Sequence, residues 1–220
     1  QRLAAAAGSI ESAAEGVVRI TAPPGVADAF IAPALVELYR RYPLIRIELD
    51  ARIAVVDLTR GEADLALRSI RPTGGDLVMV RLAQVRSVPM ANRAYATELG
   101  TLRSLEAARW IMWGPDLAHL PEQRWLDHHV EVTPTLRTSH FPSQLAAAVA
   151  GLGAVVAPEP YAAVHGLVAL EHSRGLAEAW RALPVGELWL VGHRALREVP
   201  RVAAVWEFLV AMFQRAARPA

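Results

Sequence analysis

The stretch of residues 16–68 constrains the fold more than any other part of this sequence, because its elements alternate between strand and helix. The β-branched run of residues 17–21 predicts a buried strand, which residues 23–25 (Pro-Pro-Gly) end. A helix is predicted to follow, with Pro33 in its first turn, where the missing N–H costs nothing. Pro43 ends that helix.

Three further elements extend this alternation. Residues 45–50 alternate between apolar and charged and predict a second strand. A short helix over residues 55–60 and an apolar strand over residues 63–67 follow. Such a succession indicates an α/β fold with a parallel sheet and right-handed crossovers. Small ligands bind beyond the carboxyl ends of such strands, which here are residues 21–25, 51–52 and 68–69.

The remainder of the chain predicts a second β-α-β lobe, and then a strand and a long helix over residues 200–216. We therefore expect two Rossmann-like subdomains joined by two crossover strands, near Arg86 and Val191. The final helix should return to the first lobe. The predicted subdomains are residues 16–86 together with 191–220, and residues 87–190.

Composition excludes several classes of protein. The chain has 220 residues, of which 53% are hydrophobic and 20% charged, as in a well-buried globular protein rather than a disordered one. A formal net charge of +1 gives no general attraction to nucleic acid or to a membrane. The absence of cysteine excludes disulfides and thiol catalysis, and it fits a cytoplasmic location. No apolar run reaches the roughly 18 residues of a membrane span.

The sequence contains no motif of a catalytic or cofactor site. His128 and His129, with His119 upstream, are the nearest approach to a metal cluster, but adjacent histidines on a helix point about 100° apart. We interpret them as solvated surface. Ser139 and His140 are sequence neighbours, which seldom reach the geometry of a nucleophile and its base. We therefore predict no catalytic residue, no metal and no cofactor.

Two arginines follow predicted strands at the ligand-binding edge. Arg68 comes directly after the third strand, where it either contacts a ligand or pairs with Glu62 or Asp64. Arg52 follows the second strand, and there an ordinary surface arginine is the better interpretation.

A second group of candidates lies in the second lobe. Ser139 and His140 lie between a strand and a helix N-terminus, where backbone amides and the helix dipole favour an anion. The alternative is simple N-capping by Ser139 or Ser143. Trp113 ends a strand, where it either forms the floor of a pocket or is buried in the core.

Several segments together resemble the effector-binding domain of bacterial LysR-type transcriptional regulators. They are GVVRITAPPG, PALVELYRRYPLIRIELD, DLTRGEADLALR and AAAVAGLGAVVAPEP, and the likeness extends from Gly16 to about Phe213. The motifs are individually loose, but their order and spacing are specific.

This resemblance implies a two-lobed, type II periplasmic-binding-protein-like fold that binds a small effector in the cleft between its lobes. It also implies that a DNA-binding winged helix-turn-helix and a linker helix precede the domain, so that residues 1–15 are the tail of that helix. Many members carry Ser or Thr in the first strand-helix loop, whereas this chain offers mainly backbone amides there. The implied effector-binding residues are Thr21, Pro23, Pro24, Gly25, Arg68, Trp113, Ser139, His140 and Phe141.

We expect a sensor rather than an enzyme, with a small anionic effector such as a carboxylate, since arginine and helix-terminal amides favour such a ligand. The resemblance implies a homodimer or homotetramer. Residues 32–42 and 44–49 should then contact the alanine-rich helix 143–150 of the partner. Two alternatives are a stand-alone solute-binding protein of the same fold and an enzyme on that scaffold.

Overall fold

The computed structural model describes residues 14–52, 58, 61–73 and 75–216, which group into two compact units. Unit 1 comprises the chain up to Gln84 and from Glu187 onwards, and unit 2 comprises Val85–Gly186. Most of the predicted linker-helix tail (1–15) and of the predicted short helix (55–60) lies outside the described residues.

Unit 1 contains the parallel strands that the sequence predicts. Strand β1 (Gly16–Ala22) pairs in parallel with β2 (Ile45–Ala51) and with β3 (Leu65–Arg68). Strand β3 also pairs, antiparallel, with β9 (Val185–His193). Since β1, β2 and β3 run in the same direction, their carboxyl ends lie at one edge of the sheet, as the sequence predicts.

Helix α1 begins earlier than predicted. It comprises an opening turn (Pro24–Val26), a π-helical turn (Ala27–Ile31) and a regular segment (Ala32–Arg41). Pro24 lies in the opening turn, and Pro33 lies in the first turn of the regular segment, as predicted. Pro33 lies two residues after the end of the π-turn, and such an irregularity accommodates a missing N–H.

The last helix completes the core of unit 1. Helix α7 (Pro200–Ala216) buries Val205 and Leu209 in one hydrophobic cluster with Val18 and Ile20 of β1. The helix therefore packs on the first strand of the chain, as predicted from the sequence.

Unit 2 is less parallel than predicted. Strand β4 (Leu77–Asn92) crosses from unit 1 into unit 2 and pairs antiparallel with β7 (Val155–Pro158) and β8 (Leu167–Ala169). A parallel pair of the expected β-α-β kind is formed by β5 (Ile111–Trp113) and β6 (Leu136–Thr138). The β-α-β prediction therefore holds for β5 and β6 and for the parallel bridge between Trp110 and Ala154. In contrast, β4 pairs antiparallel with β7 and with β8, a strand that the sequence analysis did not predict.

Short helices surround these strands in unit 2. The side chain of Asn92 accepts a hydrogen bond from the Tyr95 N–H (2.8 Å) and caps the first of them, as predicted.

None of the helices in the described part of the chain is long and apolar enough to cross a membrane. The helices are α2 (Arg93–Leu99), α3 (Pro121–His129), α4 (Phe141–Val149), α5 (Pro160–His165) and α6 (Ala177–Arg181).

Candidate functional site

The loop after β1 leads directly into the first turn of α1. Thr21 is 5% exposed and lies within β1 between Asp50 and Ala66 of the neighbouring strands. The carbonyl oxygen of Pro23 already accepts the Ala27 N–H (2.9 Å), which closes the first turn of α1. The Thr21 hydroxyl is therefore a weak candidate for a ligand contact.

Arg68 lies at the same edge, at the end of β3. Its pairing partner across the antiparallel ladder is Trp189 of β9, so the two side chains project from the same face of the sheet. The guanidinium groups of Arg71 and Arg81 lie 5.3 Å and 5.9 Å from the Trp189 ring centroid. Cationic side chains thus gather around one indole at this end of β3 and β9.

One carboxylate balances part of this charge. Glu187 accepts hydrogen bonds from Arg81 (2.8 Å) and from the Trp189 Nε1–H (3.0 Å). The pKa of Glu187 is lowered from its ordinary value, first by the hydrogen bond from Arg81 and then by that from Trp189. Glu187 therefore remains ionised and holds the Trp189 ring in place.

Arg52 is a surface residue, in agreement with its interpretation from the sequence. Its Nη2 lies 2.5 Å from Asp50 Oδ2, and both side chains are largely exposed. Since this ion pair is formed on the protein itself, Arg52 is a poor candidate for an effector contact.

Ser139, in unit 2, is bonded to a carboxylate that the sequence analysis missed. Its Oγ donates to Asp116 Oδ1, and a Cβ at Gly114 would collide with both groups. Glycine at residue 114 thus leaves room for the hydrogen bond between the Ser139 and Asp116 side chains. The Gly114-Pro115 turn directly after a strand was the sequence signal that could have pointed to Asp116.

His140 is the N-cap residue of α4. Its backbone carbonyl accepts the N–H groups of Ser143 (3.0 Å) and Gln144 (3.3 Å), and its Nδ1 lies 2.9 Å from Ser143 Oγ. No side-chain hydrogen bond caps this helix, so N-capping by Ser139 or Ser143 is wrong. The His140 ring is exposed at the positive end of the helix dipole.

Aromatic rings form a continuous series beside this helix terminus. Trp113 stacks on Phe141 (5.6 Å between centroids, 20° between planes), and Phe141 meets the Tyr161 ring edge-on (4.9 Å, 88°). The Trp113 N–H donates to Oε1 of the buried Gln123 (2.8 Å), which fixes the end of β5. Trp113 is buried, so it lines the base of this region rather than its rim.

One of the two adjacent histidines of α3 packs on an aromatic side chain. The His129 ring stacks on Trp125 (4.9 Å, 27°), and its Nδ1 lies 2.8 Å from the Trp125 carbonyl oxygen. The interpretation of His129 as solvated surface is therefore wrong, since the ring packs on an indole. In the described ranges, no group of three or more His, Asp or Glu residues could hold a metal ion.

The structure thus brings the predicted residues together in two sets, one in each unit. In unit 1 the loop after β1 and Arg68 share one edge of the sheet, and in unit 2 the strand ends meet the start of α4. The second set consists of Trp113, Ser139, His140 and Phe141. The sequence analysis did not select Asp116, Tyr161 or Trp189, because it looked for site residues at the predicted strand ends and in the family-like loops.

Comparison with known proteins finds a family model that matches most of this chain. The model of the family described as LysR substrate binding domain matches residues 11–214. An HTH-type transcriptional regulator of Xanthomonas campestris pv. campestris is 34% identical over 95 residues, which are 43% of this chain and 28% of that protein. The Mau operon transcriptional activator of Paracoccus denitrificans is 31% identical over 80 residues, or 36% of this chain and 28% of that protein. The matched segments thus span less than a third of those relatives.

Solved structures share the fold. The regulatory domain of CrgA, a LysR-type transcriptional regulator from Neisseria meningitidis, superimposes with a TM-score of 0.72 at 20% identity, covering 90% of this chain and 99% of that chain. The full-length virulence activator AphB from Vibrio cholerae gives a TM-score of 0.64 at 17% identity, covering 96% of this chain and 74% of that chain.

Proposed function

This chain belongs to the LysR substrate binding domain family, and on that premise we propose that it is the effector-sensing part of a transcriptional regulator. Its fold is the type II periplasmic-binding-protein-like fold of LysR regulatory domains. The observation that carries the proposal is the family match over residues 11–214. Relatives named as a transcriptional regulator and a transcriptional activator support it.

The proposed mechanism is a shift in population. A small effector that binds one conformation of the regulator better than another increases the share of that conformation, and DNA binding in the whole regulator responds. DNA recognition belongs to the whole protein and is proposed for segments outside these 220 residues. A cytoplasmic location and a homodimeric or homotetrameric assembly are part of the same proposal.

We infer that the effector is an anion, with a carboxylate as the simplest case. Arg68 supports this, since a guanidinium is a planar fork of donors that matches a carboxylate, and Arg71 and Arg81 add positive charge nearby. In unit 2 the exposed His140 ring at the N-terminus of α4 provides a second favourable environment. The Asp116 carboxylate opposes an anion at Ser139, so the contact is proposed for His140 rather than for the Ser139 hydroxyl.

A sensor is favoured over both alternatives. An exported solute-binding protein and an enzyme could use the same fold, since fold alone does not determine function. The names of the relatives favour regulation over transport or conversion of the ligand.

The test begins with a thermal-shift screen of small carboxylates, followed by calorimetry on the carboxylate that stabilises most. Arg68→Ala removes a charge-assisted contact and should weaken binding by about tenfold to a hundredfold (~1.5–3 kcal/mol). Asp116→Asn removes a repulsive charge and should strengthen binding. Arg52→Ala is the matched control, since Arg52 is an exposed arginine that follows the neighbouring strand β2.

Two results would contradict the anionic effector. One is the failure of every anion in the screen to stabilise the protein. The other is equal binding by the Arg68→Ala and Arg52→Ala proteins, which would remove Arg68 from the effector site.

A further inference from the structure

Unit 2 contains a shallow pocket that none of the predicted effector residues lines. Its volume is about 350 Å³, and its walls come from β4, from α6 and from the segment between β8 and α6. The lining residues are Arg86, His172, Ala177, Trp180 and Arg181.

Aromatic rings fix one side of this pocket. His172 stacks on Trp180 with 4.4 Å between centroids and 15° between planes, and Trp180 meets Trp125 edge-on at 6.1 Å. The Trp125 Nε1–H donates to the carbonyl oxygen of Ala179 in α6 (2.9 Å). Helix α6 is too short to be stable alone, and this packing holds it in place. The His172 and Trp180 rings therefore form one side of the pocket.

Two guanidinium groups line the same pocket. Nη1 of Arg86 donates to the carbonyl oxygens of Arg181 and Leu183 (3.3 Å each), which orients the group and leaves its other nitrogens as donors. Among the residues that the structure describes, neither Arg86 nor Arg181 forms an ion pair, although Glu178 lies one turn before Arg181 on α6. No carboxylate lines the pocket, so its charge is positive.

We propose that this pocket binds a small aromatic carboxylate, as a site separate from the proposed effector site. A guanidinium fork pairs with a carboxylate in a fixed geometry, and the Trp180 and His172 rings offer apolar contact to a flat ring. The volume lies at the lower end of the range for ligand pockets, which suits a ligand of one ring.

The experiment measures calorimetric binding of benzoate to the whole chain. Arg181→Ala removes one guanidinium that makes no described hydrogen bond through its side chain, so the fold should be unaffected and binding should weaken about tenfold or more. Arg174→Ala is the matched control, since Arg174 is an exposed arginine of the adjacent turn that does not line the pocket. The Arg174→Ala protein should bind benzoate with the same affinity as the unchanged protein.

Two further probes test the chemistry of the ligand. Cyclohexanecarboxylate has the same charge without an aromatic ring and should bind about threefold to tenfold more weakly than benzoate. Benzamide has the ring without the charge and should bind at least about tenfold more weakly.

Four results would overturn the proposal. They are no binding of benzoate at millimolar concentration, unchanged binding after Arg181→Ala, equal loss with Arg174→Ala, and binding of inorganic phosphate as tight as that of benzoate. If Arg68→Ala abolishes benzoate binding and Arg181→Ala leaves it intact, benzoate is an effector and the separate site is wrong. If only Arg181→Ala removes benzoate binding, the separate site is supported, and this result does not depend on whether the effector proposal is correct.

Discussion

Gly153 lies where the backbone of unit 2 leaves no room for a side chain. A Cβ at this residue would stand 2.5 Å from the carbonyl oxygen of Arg109, which is backbone and cannot rotate away. The same carbonyl accepts the Ala154 N–H (2.7 Å), and Ala154 in turn lies beside Trp110 in the core. A glycine is thus needed for the chain to enter β7 at this distance from β5.

Gly153→Ala should therefore destabilise the protein by about 1–3 kcal/mol, as overpacking typically does. Gly186→Ala is the control, since no atom lies within 4 Å of the Cβ that it would add. Denaturant titration of both variants measures the difference in free energy of unfolding. Equal stability of the two variants would show that the segment around Gly153 adjusts without cost.

At the scale of elements, a single glutamine joins α3 to β5. Gln123 is fully buried, and its Oε1 accepts the Trp113 N–H (2.8 Å) while its Nε2 donates to Asp127 Oδ1 (2.7 Å). The hydrogen bond satisfies a backbone group at the end of a strand, where the next residues turn towards Asp116. The position of the predicted pocket floor, Trp113, therefore depends on a helix that follows it in the sequence.

Gln123→Met retains the volume of the side chain and removes both hydrogen bonds. Because a buried N–H is then left without a partner, we expect a loss of about 1–3 kcal/mol in the free energy of unfolding. Gln84→Met, at an exposed residue of β4, should change it little and serves as the control. A loss no larger than that of the control would mean that water or another group replaces the glutamine.

The sequence predicted elements well where local patterns determine them. The alternation in β2 and the periodicity of α7 led to the observed strand and helix, and Asn92 caps the helix that it was predicted to cap. Pairing direction in unit 2 was predicted less well, because β7 and β8 are short apolar runs whose partner depends on the path of β4. Gln123 and Asp116 were missed because their hydrogen-bond partners, Trp113 and Ser139, lie in other elements of the chain, where no local pattern points to them.

At the scale of the whole molecule, exposed apolar side chains support the predicted assembly. Val36 and Tyr39 on α1 are 58% and 60% exposed, and Leu44 before β2 is exposed as well. Val149 at the end of the alanine-rich helix α4 is also exposed. Apolar groups of this size on two predicted contact surfaces are consistent with burial against a second copy.

Tyr39→Arg should therefore shift the protein towards the monomer, because a charge on a buried apolar interface is costly. Ile70→Arg is the control, since Ile70 is 80% exposed in unit 1 but lies outside α1 and β2. Sedimentation velocity over a range of concentrations measures both. A monomer for the unchanged protein at high concentration, or an equal effect of both substitutions, would contradict the predicted interface.

The packing of α7 on β1 also determines the order of events during synthesis. Strand β1 (Gly16–Ala22) leaves the ribosome well before the helix that covers it (Pro200–Ala216), because all of unit 2 lies between them in the sequence. Unit 2 is a continuous segment (Val85–Gly186) and can bury its core while the chain is still growing. The apolar face of β1 therefore stays uncovered until α7 has been translated, so unit 1 completes its core later than unit 2 is able to.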